Sequence, residues 1–477
     1  MFSRKSHMLD RLFYPKGVAV VGASPQGGSM AQGNNYIKGS IVQNFSGKIY
    51  PVHPDAQDTL GFKSYPTVRD IPDEVDLAIF TIPASAVLKV MEDCVAKGVK
   101  FVHLFTAGFS ETGRAENAEI EKKLIDLAKK GGVRVIGPNC MGIYCPDGGL
   151  AFQPFLPYAP GSVGFFSQSG QLAGYFIMKG SKKGLRFSKV VSFGNASDLK
   201  AHDFLEYLAH DKKTEVIGSY LEGLKDGREF FKVAKIVTRK KPLVVYKGGQ
   251  TEGGSRATAS HTAAIAGSYR LWKGLCRQVG IIPVDSLDEM VCTLSALQNL
   301  PLPQGNNAAI LGGAGGGSVT MTDMAEKAGL KVPHLSEKSI HELEKIIPPQ
   351  GTSVKNPLDL GRDFFFKDKL LKLMHLLRED PKIQALIFLQ QIGMFNRFMG
   401  RPSVNLLIEQ TLKVKDELKK PMFLVLEKDD AFGGEDLLKE AEERYRAAGL
   451  VTFPGFELAA KTLLTLSNYY TFLSSSA

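Results

Sequence analysis

Three times in this chain an apolar run of strand length breaks into a cluster of small residues and resumes as a helical pattern. The runs are Gly17-Val-Ala-Val-Val-Gly22-Ala-Ser-Pro-Gln-Gly27-Gly28, Gly161-Ser-Val-Gly-Phe-Phe-Ser167-Gln-Ser169-Gly170 and Asn307-Ala-Ala-Ile-Leu-Gly-Gly-Ala-Gly-Gly-Gly317. A strand that is apolar throughout, rather than at every second residue, must be covered on both faces. That requirement selects a parallel sheet between two helix layers. Further strands of this kind are read at 48–54, 75–83, 101–108, 133–139, 187–192, 215–221, 242–246, 385–389, 422–426 and 450–453. Helical patterns separate them, among them 85–97, 116–130 and 435–448, and another, 457–472, closes the chain. The expected fold is α/β throughout, with three doubly wound domains over 1–147, 148–302 and 303–477. A length of 477 residues suits three domains, and Pro-Leu-Pro at 301–303 marks the last linker.

Composition narrows the function classes. The chain is 44% hydrophobic and 23% charged, with 49 glycines and a net charge of +10. The excess positive charge admits a polyanionic small molecule. No Lys/Arg block or basic-aromatic interleaving points to nucleic acid. Five cysteines, odd in number and without zinc-site spacing, read as reduced thiols, and no metal site is expected. The first residues carry no apolar signal region, and no eighteen consecutive residues are apolar. A cytoplasmic protein with no membrane segment is expected.

Four stretches carry candidate chemistry. The turn after Gly22 offers backbone N–H groups to a phosphate at a helix start. It lacks G-x-G-x-x-G, and the next strand ends in Val52-His53-Pro54 rather than in an acidic residue, which weakens a nicotinamide oxidoreductase reading. Ser167-Gln168-Ser169-Gly170, again between strand and helix, reads as a phosphoryl cradle; alternatively Ser169 only caps the helix. Glu222 ends one strand, and His261 lies in the small-residue stretch Gly248–Gly267 after the next. That stretch is expected to be a mobile loop, with a helix resuming near Ala264. In a doubly wound sheet Glu222 and the His261 loop emerge at the same edge, where a carboxylate can fix the imidazole tautomer and leave the other nitrogen free to attack. A solvated loop histidine and a surface carboxylate are the plainer alternatives. Gly312–Gly317 lacks the Gly-Lys-Ser/Thr ending of a nucleotide P-loop and is read as a structural turn.

Taken together, Leu12-Phe-Tyr-Pro-Lys-Gly-Val-Ala-Val-Val-Gly-Ala-Ser24, Thr106-Ala-Gly-Phe-Ser-Glu111, Gly137-Pro-Asn-Cys-Met-Gly142, Phe166-Ser-Gln-Ser-Gly170, Tyr220-Leu-Glu-Gly223 and Ser260-His-Thr-Ala-Ala-Ile-Ala-Gly267 resemble the NDP-forming acyl-CoA synthetases. The likeness is to the α subunit of ADP-forming acetyl-CoA synthetase and, more distantly, of succinyl-CoA synthetase. It implies a Rossmann-like CoA-binding domain followed by two flavodoxin-like ligase domains. It implies that His261 is the phosphorylated histidine and Glu222 its support, with phosphate held at Ser167, Gln168, Ser169 and Gly170. The CoA contacts it implies are Gly22, Ala23, Ser24, Val52, His53, Pro54, Ile82, Pro83, Thr106, Ala107 and Asn139. Asp55 stands where the family commonly has a lysine. The implied reaction interconverts acyl-CoA, phosphate and ADP with a carboxylic acid, CoA and ATP. ADP or ATP with Mg2+ is expected on an ATP-grasp β subunit in an α2β2-type assembly. A non-catalytic CoA-sensing or scaffold subunit is the alternative, disfavoured because a sensor has no need of the Glu222–His261 pair.

Overall fold

The protein is described by a computed structural model covering residues 8–25, 32–262, 269–313, 315–361, 368–428 and 431–475; for 259–262 it describes the backbone alone. The chain divides into two compact units, Met1–Met290 and Val291–Ala477. The first contains two large sheets and a small antiparallel pair, Asp58–Thr59 with Phe62–Lys63, and the second contains one sheet.

The first sheet consists of β1 (Gly17–Val21), β2 (Lys48–Val52), β3 (Leu77–Phe80), β4 (Phe101–Leu104) and β5 (Arg134–Ile136). Its order is β2-β1-β3-β4-β5, parallel throughout. Every residue of β1, β3 and β4 is buried, as their apolar sequences require, with His103 of β4 the one polar residue among them. The direction of strand addition reverses between β1 and β3, so a crevice opens at their carboxyl ends.

The second sheet is built from β6 (Gly142–Tyr144), β7 (Pro160–Ser167), β8 (Phe187–Ser192), β9 (Val216–Leu221), β10 (Leu243–Lys247) and β11 (Ile282–Val284). Its order is β11-β10-β9-β7-β8-β6, and only β6 runs antiparallel to its neighbour. Here the reversal falls between β7 and β9. The Ser167–Gly170 turn therefore leaves the sheet beside Glu222, and the segment leading to His261 leaves one strand further along.

The third sheet, β12 (Ala308–Leu311), β13 (Ala385–Leu389), β14 (Met422–Val425) and β15 (Thr452–Phe453), is parallel in that order. Apolar layers cover both its faces. One is built around Leu343, Leu373, Leu407 and Tyr445, the other around Met321, Phe453, Ala459 and Leu463.

Helix α1 spans Gln32–Val42 and α2 spans Gly170–Lys182. The stretch expected to be a loop is instead a helix, α3 (Glu252–Thr262). Local chemistry explains the difference. Thr251 Oγ1 accepts the Gly254 N–H at 3.1 Å, satisfying a first-turn donor, and Glu252 places negative charge at the helix start. Helix α4 spans Tyr269–Val279. Residues 263–268, and Gly27 and Gly28 of the first turn, lie outside the described residues. Among the described residues no helix is long and apolar enough to cross a membrane, and no cluster of three His, Cys, Asp or Glu is arranged to hold a metal. All five cysteines are buried thiols.

Candidate functional site

In the first crevice, Gly22 follows β1 with φ +93°, and its N–H donates to Val52 O at 3.2 Å. A Cβ there would stand 2.8 Å from both the carbonyl oxygen and Oγ1 of Thr81. Only glycine lets the chain turn this close to β3. Beyond it Ser24 and the buried Asn34 of α1 exchange two hydrogen bonds of 2.9 Å, backbone to side-chain amide. They tie the end of the turn to the helix that follows.

The other expected CoA residues line up along the same edge. Val52 is buried at the end of β2, with His53 and Pro54 just beyond it. Thr106 Oγ1 donates to Ile82 O at 2.7 Å, and Asn139 N donates to Thr106 O at 3.0 Å. Asn139 has φ +58° and follows a cis Gly137–Pro138 bond. Three residues later the chain enters β6 of the second sheet, so Asn139 stands where the two sheets meet. Asp55 is exposed, and its N–H donates to His53 Nδ1 at 3.2 Å.

The second site is held together by its own side chains. Ser167 Oγ donates to Ser169 O at 2.7 Å and accepts the Ser169 N–H at 3.1 Å. Ser169 Oγ accepts the Leu172 N–H at 3.3 Å, which makes it the N-cap of α2. Gln168 Oε1 accepts from Glu222 N at 2.5 Å and from Gly223 N at 2.9 Å, fastening the turn to the end of β9. Gly170 packs against Met141, and a Cβ would meet Met141 Cγ at 2.2 Å. The two hydroxyls and the Gln168 carbonyl thus shape the turn. Gln168, Ser169 and Gly170, at the start of α2, are half-buried.

Glu222 is buried, at 9% exposure. Burial first, and then its carboxylate, push the Tyr220 hydroxyl far above the ordinary tyrosine value. Gly248 sits directly against this pair: a Cβ would lie 2.6 Å from Tyr220 Oη and 3.5 Å from Glu222 Cγ. Gly249, with φ +73°, likewise has no room for a side chain beside Thr258 Oγ1. Helix α3 is therefore rooted against Glu222. The His261 backbone belongs to its last turn, while the His261 side chain lies outside the described residues.

Two participants escaped the sequence reading. Lys247, 7% exposed, donates from Nζ to the carbonyls of Glu222 and Gly248, each at 2.6 Å. Burial lowers its pKa, and the Glu222 charge opposes that shift. A lysine ending the apolar run Leu243-Val-Val-Tyr246 was the available signal. His103, fully buried in β4, contacts Cys140 O through Nε2 at 3.1 Å and supports the cis-proline turn. Burial pushes its pKa down to about 4, so it is neutral. Gly142 exists to clear it, since a Cβ would come within 2.3 Å of the ring.

Known proteins resemble this chain in sequence and fold. A CoA-binding-domain family model matches residues 16–146, and a succinyl-CoA ligase like flavodoxin-domain model matches 160–297. The α subunit of ADP-forming acetate–CoA ligase II from Pyrococcus furiosus is 41% identical over 385 residues, covering 80% of this chain and 82% of that one. ADP-forming acetate–CoA ligase I of Archaeoglobus fulgidus is 39% identical over 382 residues, covering 80% of this chain but 54% of that one. The chain thus spans about half the length of the Archaeoglobus relative. Dinucleotide-forming acetyl-coenzyme A synthetase 1 of Ca. Korarchaeum cryptofilum, solved with phosphate and ADP, superposes with a TM-score of 0.84 at 31% identity, covering 98% of both chains. The chain belongs to the ADP-forming acetate–CoA ligase family, with that family's α subunits among its relatives.

Proposed function

We propose that this chain is the CoA-binding, phosphoryl-transferring α subunit of an ADP-forming acyl-CoA ligase. It interconverts acyl-CoA, phosphate and ADP with a carboxylic acid, CoA and ATP. CoA lies along the first crevice, its pyrophosphate at Gly22–Ser24 and its thiol end toward Asn139, with Val52–Pro54, Ile82–Pro83 and Thr106–Ala107 beside it. Phosphate sits at the start of α2. A phosphate oxygen attacks the thioester carbon; the C–S bond breaks and the thiolate leaves to take a proton. A neutral His261 nitrogen then attacks the phosphorus of the acyl phosphate, and the carboxylate departs. The P–N bond breaks in turn as the phosphoryl group passes to ADP.

The observation that carries this reading is the meeting of three elements at one sheet edge: the Ser167–Gly170 turn and the buried Glu222 at the reversal, and α3, one strand further along, rooted at Gly248 against Glu222. Phosphoryl transfer depends chiefly on positioning and charge stabilisation, which this assembly supplies. Relatives named as α subunits imply a β-subunit partner. We place the nucleotide, with Mg2+, on an ATP-grasp module of that subunit, in an α2β2 assembly. The domain division 1–147, 148–302 and 303–477 belongs to the same proposal.

The test is incubation of the chain and its partner subunit with acyl-CoA and labelled phosphate. The expected product is an acid-labile label at His261, absent in His261→Ala, which still binds CoA. An acid-stable label, or a normal catalytic rate in His261→Ala, overturns the proposal.

A further inference from the structure

Between the two crevices lies a polar cluster that neither the CoA site nor the phosphoryl site uses. The segment after β8 runs along the end of β5: Asn195 N donates to Pro138 O at 3.0 Å and Ser197 N to Gly137 O at 3.2 Å. Gly194 is pressed onto the same turn, where a Cβ would meet Pro138 O at 2.2 Å. Across from it, the short helical turn Ser110–Thr112 is wound around two carboxylates. Glu111 Oε1 accepts the Gly108 and Phe109 N–H groups at 2.6 and 3.1 Å. Glu121, 6% exposed, accepts the Ser110 N–H at 3.0 Å and the Ser197 hydroxyl.

The Asn195 amide joins them. Its Nδ2 lies 2.6 Å from Glu111 Oε2 and 3.1 Å from Glu121 Oε2. Carboxylates accept only, so the nitrogen and not the oxygen of the amide must face them. Burial pushes the Glu121 pKa up, but hydrogen bonds from Ser110, Ser197 and Asn195 outweigh it and hold the group below the ordinary carboxylate value. Burial lowers the Lys225 pKa; the Glu121 charge opposes that shift and the Lys200 charge adds to it. The Ser110–Thr112 turn is also the surface against which α3 packs.

We propose that Asn195 is a positioning residue for the transfer reactions: by bridging Glu111 and Glu121 it locks the Ser110–Thr112 turn onto the cis Gly137–Pro138 turn. One clamp thereby sets both the thiol end of the CoA crevice and the seat of the helix bearing His261. This inference rests on the ligase reading above. It adds a residue whose role is to hold the two half-sites in register, without touching substrate.

The test compares Asn195→Asp and Asn195→Leu with wild type, in the full chain with its partner subunit. Turnover, KM for acyl-CoA and thermal melting are followed between pH 5.5 and 8.5. Asn195→Asp keeps the shape but sets a third carboxylate against two others. At pH 8 its kcat/KM is expected to fall about tenfold or more. As pH falls the new carboxyl takes a proton, regains an O–H donor, and the ratio to wild type recovers. Asn195→Leu has no donor at any pH and shows no such recovery. The double variant Asn195→Asp, Glu111→Gln exchanges amide and carboxylate across one hydrogen bond, and is expected to regain part of the activity at pH 8. That rescue keeps the test decisive if Asn195→Leu fails to fold. Wild-type kinetics in both single variants, or a loss in Asn195→Asp that stays in the same proportion at every pH, would overturn the proposal. A wild-type protein that turns over no acyl-CoA would remove the ligase reading and this inference with it.

Discussion

Replacing Lys247 by Met separates positioning from stability at the phosphoryl site. The ammonium bridges the carbonyls of Glu222 and Gly248, one ending β9 and the other opening the path to α3. Hydrogen bonds from a charged donor are each worth about 1.5–3 kcal/mol, so losing both forfeits roughly 3–6 kcal/mol gross. Burying the ammonium costs several kcal/mol in turn, and methionine of similar length escapes that cost. The net change in stability is therefore expected to stay within about 2 kcal/mol. Activity has no such offset. Unbridged, the root of α3 is free to drift from Glu222, and a displacement of about 1 Å at a transfer site costs on the order of 100-fold. Denaturant unfolding and phosphate labelling of His261 read the two effects independently. Labelling at the wild-type rate, or a loss that merely tracks unfolding, would refute the argument.

The same lysine makes a pH prediction whose sign is fixed by burial. Its folded pKa lies below the ordinary 10.5, so between those two values the unfolded chain binds more protons than the folded one. Stability from this group rises with pH across that window and is flat below it. The Met variant lacks that rise, which denaturant titrations at a series of alkaline pH values would show.

Three further substitutions probe the neighbouring elements. Gly22→Ala forces a side chain onto φ +93° and against the Thr81 carbonyl, at a cost of about 1–3 kcal/mol for the backbone alone, and calorimetry should show weakened CoA binding. Ser169→Ala removes the cap of α2 and should lower stability by about 1 kcal/mol in a urea melt, and no loss would mean the 3.3 Å bond carries nothing. Glu222→Gln keeps the shape and removes the charge beside α3. It should slow labelling of His261 while leaving CoA affinity unchanged in calorimetry, and an unchanged labelling rate would sever Glu222 from the transfer step.

What could be read from sequence follows from how far each signal reaches along the chain. Apolar runs such as Val18–Val21 and Val163–Phe166 state their burial locally, so parallel sheets covered by helices were legible. A strand-end residue such as Glu222 needs only the doubly wound rule to be placed beside its neighbour's exit. The segment before His261 was misjudged because glycine and serine content signals a loop, whereas the Thr251 cap and the acidic Glu252 favour a helix. The serines of the Ser167–Gly170 turn illustrate a different limit. Hydroxyl groups at a helix start suit an anion and a cap equally, and only geometry showed them engaged with their own backbone. Least legible was whatever depends on two distant segments meeting. Asn195 and Glu111 are 84 positions apart, and nothing in either neighbourhood announces the other. The glycines came closest to doing so. Gly142, Gly194 and Gly248 are each required by a group far away in sequence or on an adjacent strand: His103, Pro138 and Tyr220. A glycine beside a strand end, outside any obvious turn, is thus the trace that a long-range approach leaves in the sequence. It tells that something comes close, but not what.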